Sequence, residues 1–343
     1  MHEALLDLLR SPVDGSAFAL EGVVRDGAEI VEGWLVDSAG SRFPIVDGVP
    51  SFAPDHADDP TFGFKWRRIG DSYGHEEPSR TIRRDWYLDR FGYGDEATLH
   101  AFLRAREVVL DAGCGSGVDT ALFSDSGATV VAVDLSRDAA ASTYRRLGAR
   151  PNVHVLQADL HHLPFESGSF GYVSSDQVLH HTVDTGCAFA AVSSHVRPGG
   201  SLAVYVYNRK APIRELADDY IREHTTTLSN EDCWEFSRRM TLLGRELTRT
   251  QARFELPEDV ELLGFHAGEH DVQRFLYWNV LKCFWNEQYD FELNVAVNFD
   301  WYHPRHAHRH TPDEVRGWFE AAGLEVTLLD SGESGISAVG YAP

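Results

Sequence analysis

Three acidic residues close three strand-like runs: Asp111 in VVLDAGCGSG, Asp134 in TVVAVDLS and Asp159 in NVHVLQADL. Between the first two lies a loop with glycine at 113, 115 and 117. Without Cβ atoms, such a loop lets a ligand come close to the backbone. The dinucleotide fingerprint GxGxxG is spaced differently and is read together with an acidic residue about 20 positions on, which holds ribose hydroxyls. Here Asp134 follows Gly117 by 17 residues, so a ribose is implied. The Asp159 carboxylate, preceded by Gln157 and Ala158, is suited to accept from an adenine amine. The set describes an adenosine with no pyrophosphate to cradle.

Histidines form the second group. His180 and His181 end the run SFGYVSSDQVLHH, at the carboxyl edge of a strand where doubly wound folds bind ligands. Two readings stay open for them: general base for a protonated acceptor, or packing and substrate hydrogen bonding. His303, His306, His308 and His310 crowd the segment NFDWYHPRHAHRHT, with His266 and His270 earlier. Extended backbone would send His306, His308 and His310 to one face, whereas Gly268 interrupts any helical pairing of His266 with His270. Metal ligation, substrate contact and solvent exposure all remain open. The assignment adopted is no metal, with His306 joining His180 and His181 as a catalytic candidate. Arg274 and Arg305 stand in strongly apolar stretches, and a buried guanidinium needs an anion. Glu269, Asp271 or Asp300 would supply it, or else a substrate carboxylate or phosphate.

The elements that must position these groups follow from the apolar pattern. Five strand-like runs from Val108 to Asn208 alternate with helical stretches, which predicts a parallel sheet covered on both faces. Thr311, Pro312 and Glu314 start a helix and Gly323 ends it; two runs, LEVTLLDS and ISAVGYA, then close the chain as a hairpin on the sheet edge. The intervening residues contain helix-like stretches at Ala211 to Thr225, Asn230 to Arg249 and Asp271 to Trp285. The last is apolar on most faces, either the core of a cap or an aromatic wall over a ligand. The expected divisions are 1–55, a small β-rich domain, with the linker APDHADDP straddling its end; 56–96, a linker and lid segment; 97–208, the nucleotide-binding core; 209–309, a helical cap insertion; and 310–343, a helix and hairpin completing the core.

Composition narrows the class. A chain of 343 residues buries a sizeable core, and 31 basic against 53 acidic residues leave a net charge of −22, which disfavours a phosphate backbone as partner. No run approaches the length of a membrane span and the first residues lack a signal-type pattern, so a cytoplasmic protein with no membrane partner is expected. Cys114, Cys187, Cys233 and Cys283 form no CxxC pair, and reduced buried thiols are expected.

Taken together, VVLDAGCGSG, VVAVDLS, QADLHHLPF, DQVLHHT and VRPGG resemble the successive motifs of class I S-adenosylmethionine (SAM) dependent methyltransferases. The resemblance implies a Rossmann-like, seven-stranded α/β fold and SAM as cofactor. It places Asp111, Gly113, Cys114, Gly115 and Gly117 at the methionine part, Asp134 and Leu135 at the ribose, and Asp159 with the Leu160 amide at adenine. Gln177 to His181 would lie beside the transferable methyl. LLDLLRSPVDG and FPIVDGVPSF resemble the two halves of a small zinc-ribbon-like domain that activates methyltransferases or is fused ahead of them. Ser11 and Asp14 stand where that family has cysteines, so this unit must hold by packing. FGFKWRRIGDSYG resembles an aromatic element preceding the SAM domain in such fusions; Phe64, Trp66 and Tyr73 would either cover the cofactor or pin the small domain.

The expected function is methyl transfer from SAM to a small polar metabolite, with an N or O acceptor favoured and C allowed. Tyr207, Arg274, Trp278, Tyr302 and Arg305 are the substrate-binding candidates. Two rivals are a non-catalytic SAM-sensing or activator partner and a SAM-dependent enzyme that does not methylate. Oligomeric state is left open, a homo-oligomer included. The purified protein is expected to fold without tightly bound zinc. One equivalent of zinc in metal analysis, lost only on unfolding, would show that histidines had rebuilt a structural site.

Overall fold

A computed structural model describes residues 1–53, 60–70 and 72–343. Of the expected linker APDHADDP, residues 54–59 lie outside the described residues. The chain opens with a 3₁₀ turn, Glu3–Asp7, then strands β1 (Ala19–Asp26), β2 (Glu29–Val36), β3 (Arg42–Val46) and β4 (Val49–Pro50), which form an antiparallel sheet in that order. Helices α1 (Pro60–Ile69), α2 (Ser79–Arg90) and α3 (Glu96–Arg106) precede the alternating region. That region runs β5 (Val108–Ala112), α4 (Val118–Ser124), β6 (Thr129–Asp134), α5 (Arg137–Leu147), β7 (Val153–Gln157), β8 (Phe170–Asp176), α6 (Thr185–Ser193) and β9 (Val196–Tyr207). The insertion holds α7 (Pro212–Thr225), α8 (Asn230–Arg249), β10 (Arg253–Leu256), β11 (Gly268–Asp271), α9 (Val272–Asn279) and α10 (Phe291–Tyr302). Finally α11 (Pro312–Ala321), β12 (Glu325–Ser331) and β13 (Gly335–Tyr341) end the chain.

The apolar runs of β5 to β8 leave hardly any polar face, so they are buried on both sides. They form the centre of a seven-stranded sheet in the order β12-β13-β9-β8-β5-β6-β7. Strands β5 to β9 pair in parallel and the β12-β13 hairpin is antiparallel. From β5 the chain winds outward through β6 to β7, and then crosses back to β8. The order therefore reverses at the carboxyl ends of β5 and β8, where open α/β sheets bind ligands.

Two compact units emerge: Met1–Val206 with Pro312–Ser331 and Ile336–Pro343, and Tyr207–Thr311 with Gly332–Gly335. The division expected at residue 55 is not a break in packing. Met1, Leu5, Leu9, Ile30, Leu35 and Ile45 share one buried cluster with Leu110, Val131, Val133 and Leu156 of the sheet. Ser51 bridges Gln157 on the edge strand β7, and Leu9 bridges Phe165, so the N-terminal segment covers an edge that would otherwise be open. In the first of two turns Ser11 Oγ donates to Asp37 Oδ2 at 2.7 Å, and Ser38 Oγ donates to Asp14 Oδ2 at 2.6 Å. Hydroxyl-to-carboxylate bonds thus join the two turns.

In the second unit the helix expected over Asp271 to Trp285 stops at Asn279. Its continuation finds better partners outside a helix. The Asn298 carboxamide accepts from the Phe284 amide at 2.9 Å and donates to the Phe284 carbonyl at 3.1 Å, and Asn294 does the same for Asn286. Gly244 makes room, since a Cβ there would meet the Cys283 carbonyl oxygen at 2.3 Å. Both asparagines belong to α10, a helix the apolar pattern did not announce. No helix among the described residues is long and apolar enough to cross a membrane.

Because the N-terminal segment and the sheet share one core, Leu9→Ala is expected to destabilise the first unit as a whole by about 2–5 kcal/mol. Denaturant unfolding followed by sheet and aromatic signals should shift as one transition. An unchanged sheet transition would mean that the segment folds on its own.

Candidate functional site

Glycines 113, 115 and 117 turn the chain from β5 into α4, and all three have positive φ (95°, 54° and 83°). The space beside them is as restrictive as the backbone. A Cβ on Gly113 would stand 2.3 Å from Val178 Cγ2, and one on Gly115 would stand 2.6 Å from Trp66 Cζ2. The loop spends its amides internally. Gly113 and Cys114 both donate to the Val133 carbonyl, Gly117 donates to Cys114, and Gly115 donates to Asp134 Oδ2 at 2.8 Å. A pyrophosphate cradle needs such amides turned outward.

Asp134 ends β6, and its other oxygen accepts from the Ser136 amide at 2.9 Å. The carboxylate therefore holds the loop. Asp159 caps the 3₁₀ turn Leu160–His162, accepting from the His161 amide (2.9 Å) and ring (2.8 Å). Partial burial raises its pKa, but these bonds outweigh it and hold the carboxyl below its usual range. The Leu160 amide, first in that turn, has no intrahelical acceptor. Leu135 accepts from the Gln157 carboxamide at 2.9 Å, which ties the ends of β6 and β7 together.

Asp111 is buried in β5 and accepts from the Thr120 hydroxyl. Burial, then the nearby Asp119 charge, pushes its carboxyl well above the usual range. Asp119, the second residue of α4, is pushed up to about 6 by burial, against the pull of Arg83. Arg83 Nη2 lies 3.7 Å from Asp119 and 3.3 Å from Asp176, and Arg90 also pairs with Asp176, whose side chain is 2% exposed. The sequence reading missed this group. Its signals were the seven-residue spacing of Arg83 and Arg90, which puts them on one helix face, and the acid just before Gln177. Gln177 itself sits at φ 64°, a left-handed conformation at the end of β8, with its carboxamide 3.3 Å from Asp176.

The aromatic element forms α1 and the turn after it. Trp66 lies against Gly115, Tyr73 is 5.8 Å from Trp66 between ring centroids, and His75 Nε2 lies 3.0 Å from the Ser116 carbonyl oxygen. Phe62 is 5.1 Å from the His181 ring. Phe64 lies under the Arg68 guanidinium at 5.8 Å. Both histidines of the pair fall in the 3₁₀ turn Leu179–His181; His180 is fully buried, while His181 is half-buried.

The second unit rearranges the remaining candidates. Arg274 and Arg305 are exposed, so neither needs the buried counter-charge expected from their apolar surroundings. The deeply buried guanidinium there is that of Arg214. Tyr302 is buried and donates to the Lys282 carbonyl at 2.7 Å, which commits its hydroxyl to the fold. Tyr207 and Trp278 are half-buried, and Tyr207 packs 4.9 Å from the Trp301 ring. His306 and His308 stack at 5.6 Å, with His310 next at 6.3 Å, on one face as extended spacing requires. Among the described residues no cluster of three or more histidine, cysteine or acidic side chains is placed to hold a metal.

The raised Asp119 carboxyl carries a sign. With a folded value near 6 above an unfolded value of about 3.9, the folded protein holds the extra proton between them, so stability falls as pH rises through that window. Asp119→Asn is therefore expected to stabilise the free protein by about 1–2 kcal/mol at pH 8 and by little at pH 4. Chemical denaturation at the two pH values checks this. A loss of stability at pH 8 would mean that the Arg83 contact outweighs burial.

Residues 110–204 match the family Methyltransf_11, described as a methyltransferase domain. Over 136 residues the chain is 32% identical to the demethylmenaquinone methyltransferase of Beutenbergia cavernae, covering 39% of this chain and 55% of that protein. It is 34% identical over 129 residues to an uncharacterized 37.1 kDa protein of transposon TN4556 from Streptomyces fradiae, covering 34% of this chain and 37% of that one. The chain thus spans about a third to a half of the length of these curated relatives. Among solved structures, the 1,6-didemethyltoxoflavin-N1-methyltransferase of Burkholderia thailandensis aligns over 91% of this chain and 95% of its own, with 16% identity and a TM-score of 0.41. Over residues 110–204, then, the chain is similar to a methyltransferase domain.

Proposed function

We propose that the protein transfers a methyl group from SAM to a small polar metabolite, with nitrogen or oxygen as the acceptor atom. One observation carries the reading. The glycine loop turns its amides inward, while Asp111, Asp119 and Asp176 are buried around it. An edge built this way offers a diphosphate neither outward amides nor an unpaired cation among the described residues, and suits a ribose attached to a cation. The bound cofactor would supply a methyl group on a positively charged sulfur with a good leaving group.

The residues of this chain do the rest. Asp134 receives the ribose hydroxyls while keeping the Gly115 amide, and Asp159 with the Leu160 amide recognises adenine. Asp111 and the loop carbonyls face the methionine end. Because such a displacement needs chiefly an acceptor held in line, positioning supplies most of the acceleration. His181, beside Phe62, is the better candidate for moving a proton from the acceptor, and the fully buried His180 supports its ring at 4.3 Å between centroids. His306 remains a candidate of the same kind. The substrate-binding candidates of the insertion are Tyr207 and Trp278, with partly accessible aromatic faces, and Arg274 and Arg305, with accessible guanidiniums.

Titration calorimetry with S-adenosylhomocysteine tests the cofactor assignment. Asp134→Ala is expected to weaken binding by about 2–4 kcal/mol, since two charge-assisted bonds go and the loop loses its tether. Unchanged affinity, or preferential binding of NAD, would overturn it. Incubation with SAM and a metabolite extract should yield S-adenosylhomocysteine and a product heavier by one methyl group. S-adenosylhomocysteine binding with no such product would leave a sensor, not an enzyme.

A further inference from the structure

The insertion holds a buried charge arrangement that the nucleotide edge does not use. Lysine occurs only three times in this chain, at 65, 210 and 282, against 28 arginines. Two of the three meet at one indole. Lys282 Nζ lies 4.9 Å and Lys210 Nζ 5.7 Å from the Trp301 ring centroid, and the Arg214 guanidinium carbon lies 5.1 Å from it. All four residues belong to the second unit.

Three cations surround one ring, and the acids near them, Asp218, Glu215 and Asp300, leave the Lys282 ammonium without an ion pair among the described residues. Asp218, fully buried, accepts from Arg214 with one oxygen; its other oxygen has no hydrogen bond among the described residues. Glu215 pairs with Arg309 at 3.0 Å. Asp300 acts on Lys282 more weakly than Asp218 does. Lys210 donates to the Glu333 and Ser334 carbonyls, and Arg214 also donates to the Tyr277 carbonyl. Lys282 is different. It is 6% exposed, and its ammonium has no hydrogen bond or ion pair among the described residues, only the faces of Trp301 and, at 6.0 Å, Tyr277. The Trp301 Nε1–H is buried without an acceptor. Leaving such a donor unmatched in a low-dielectric interior is costly, and an ammonium beside it that is largely withdrawn from water with no anion bound to it adds to that cost. Burial and the Arg214 charge accordingly lower Lys282 to about 7, and burial, Arg214 and Lys282 do the same to Lys210.

We infer that the insertion binds the carboxylate of a small organic acid, received by Lys282 Nζ and the Trp301 indole N–H, with Lys210 and Arg214 as supporting charge. A carboxylate matches the free capacity: one negative charge and two oxygens for one ammonium and one N–H. A phosphate dianion would ask for more donors than remain, because Lys210 and Arg214 are already engaged. Naming this carboxylate as part of the methyl acceptor rests on the proposed methyltransferase reading; the binding itself stands on the second unit alone.

Three lysines make the site directly observable in the full chain. With lysine carrying ¹³C at Cε, NMR gives three signals, and Lys65 serves as the internal control. Benzoate at millimolar concentration is expected to shift the Lys282 and Lys210 signals and to raise the Lys282 titration midpoint by about one pH unit or more, leaving Lys65 in place. Lys282→Met should weaken the Lys210 response at least ~10-fold, and Lys282→Arg should retain it. No response to benzoate, an equal response to neutral benzamide, or a response to inorganic phosphate alone would each overturn the assignment. Calorimetry with S-adenosylhomocysteine on the same sample separates the two readings. A lysine response without cofactor binding removes the methyltransferase reading and keeps the carboxylate site, whereas cofactor binding without a lysine response does the reverse.

Discussion

Two arginines from one helix end on the same carboxylate, and the carboxyl edge of the sheet depends on that meeting. Arg83 and Arg90 of α2 both reach Asp176 at the end of β8, and Arg83 extends to Asp119 at the start of α4. Asp176 alone would be a buried charge costing several kcal/mol; two guanidiniums alone would cost more. Together they fix α2 over the ends of β8 and α4. The segment before it is tied separately: Arg146 Nη2 donates to the Gly70 carbonyl at 2.7 Å, and Trp66 closes on Gly115. The glycine loop therefore owes its conformation to helices outside the 110–204 segment as much as to its own glycines.

The two units balance charge in opposite ways. Around the loop, Asp111, Asp119 and Asp176 face two guanidiniums, and the surplus acid is absorbed by raised carboxyl pKa values. Around Trp301, two ammoniums and a guanidinium stand near Asp218, Asp300 and Glu215, and the ammoniums, which form no ion pair with these acids among the described residues, have lowered pKa values. Each imbalance costs stability in the free protein, and each is relieved by a ligand of the opposite charge. A cation suits the first and an anion the second. Such local debts are common where sites must bind.

Much of the first unit was legible because its signals are local. Strand, glycine loop and terminal acid fall within about ten residues, and period and turn chemistry suffice to place Asp111, Asp134 and Asp159. The Asp176 group was not legible, since its arginines stand 93 and 86 positions before it and only packing brings them together. The break of the helix after Asn279 was hidden for the same reason. Phe284 looks helical until Asn298, 14 residues on, takes its backbone groups, and Asn294 takes those of Asn286, just past the expected end of the helix. Arg214 was overlooked because it sits in a polar-looking stretch, PIRELADDY, where an arginine four residues before an aspartate reads as an exposed pair. In the structure that pair is buried instead.

The choice of lysine at Trp301 has its own physical logic. Elsewhere the chain meets the need for positive charge almost always with arginine, including at Asp176, where the charge must persist in a buried setting. A guanidinium keeps its proton at any pH the protein meets, so a second arginine beside Arg214 would impose a permanent uncompensated charge on the core of the insertion. An ammonium can release its proton when buried without an anion and regain it when one arrives. Lys282 and Lys210, both lowered to about 7, stand at that point of exchange near neutral pH. The unit thus folds without a fixed counter-ion and still offers full charge to an anion that enters. The same property would make that affinity greater below neutral pH than above it, since each proton lost from these amines removes one charge from the site.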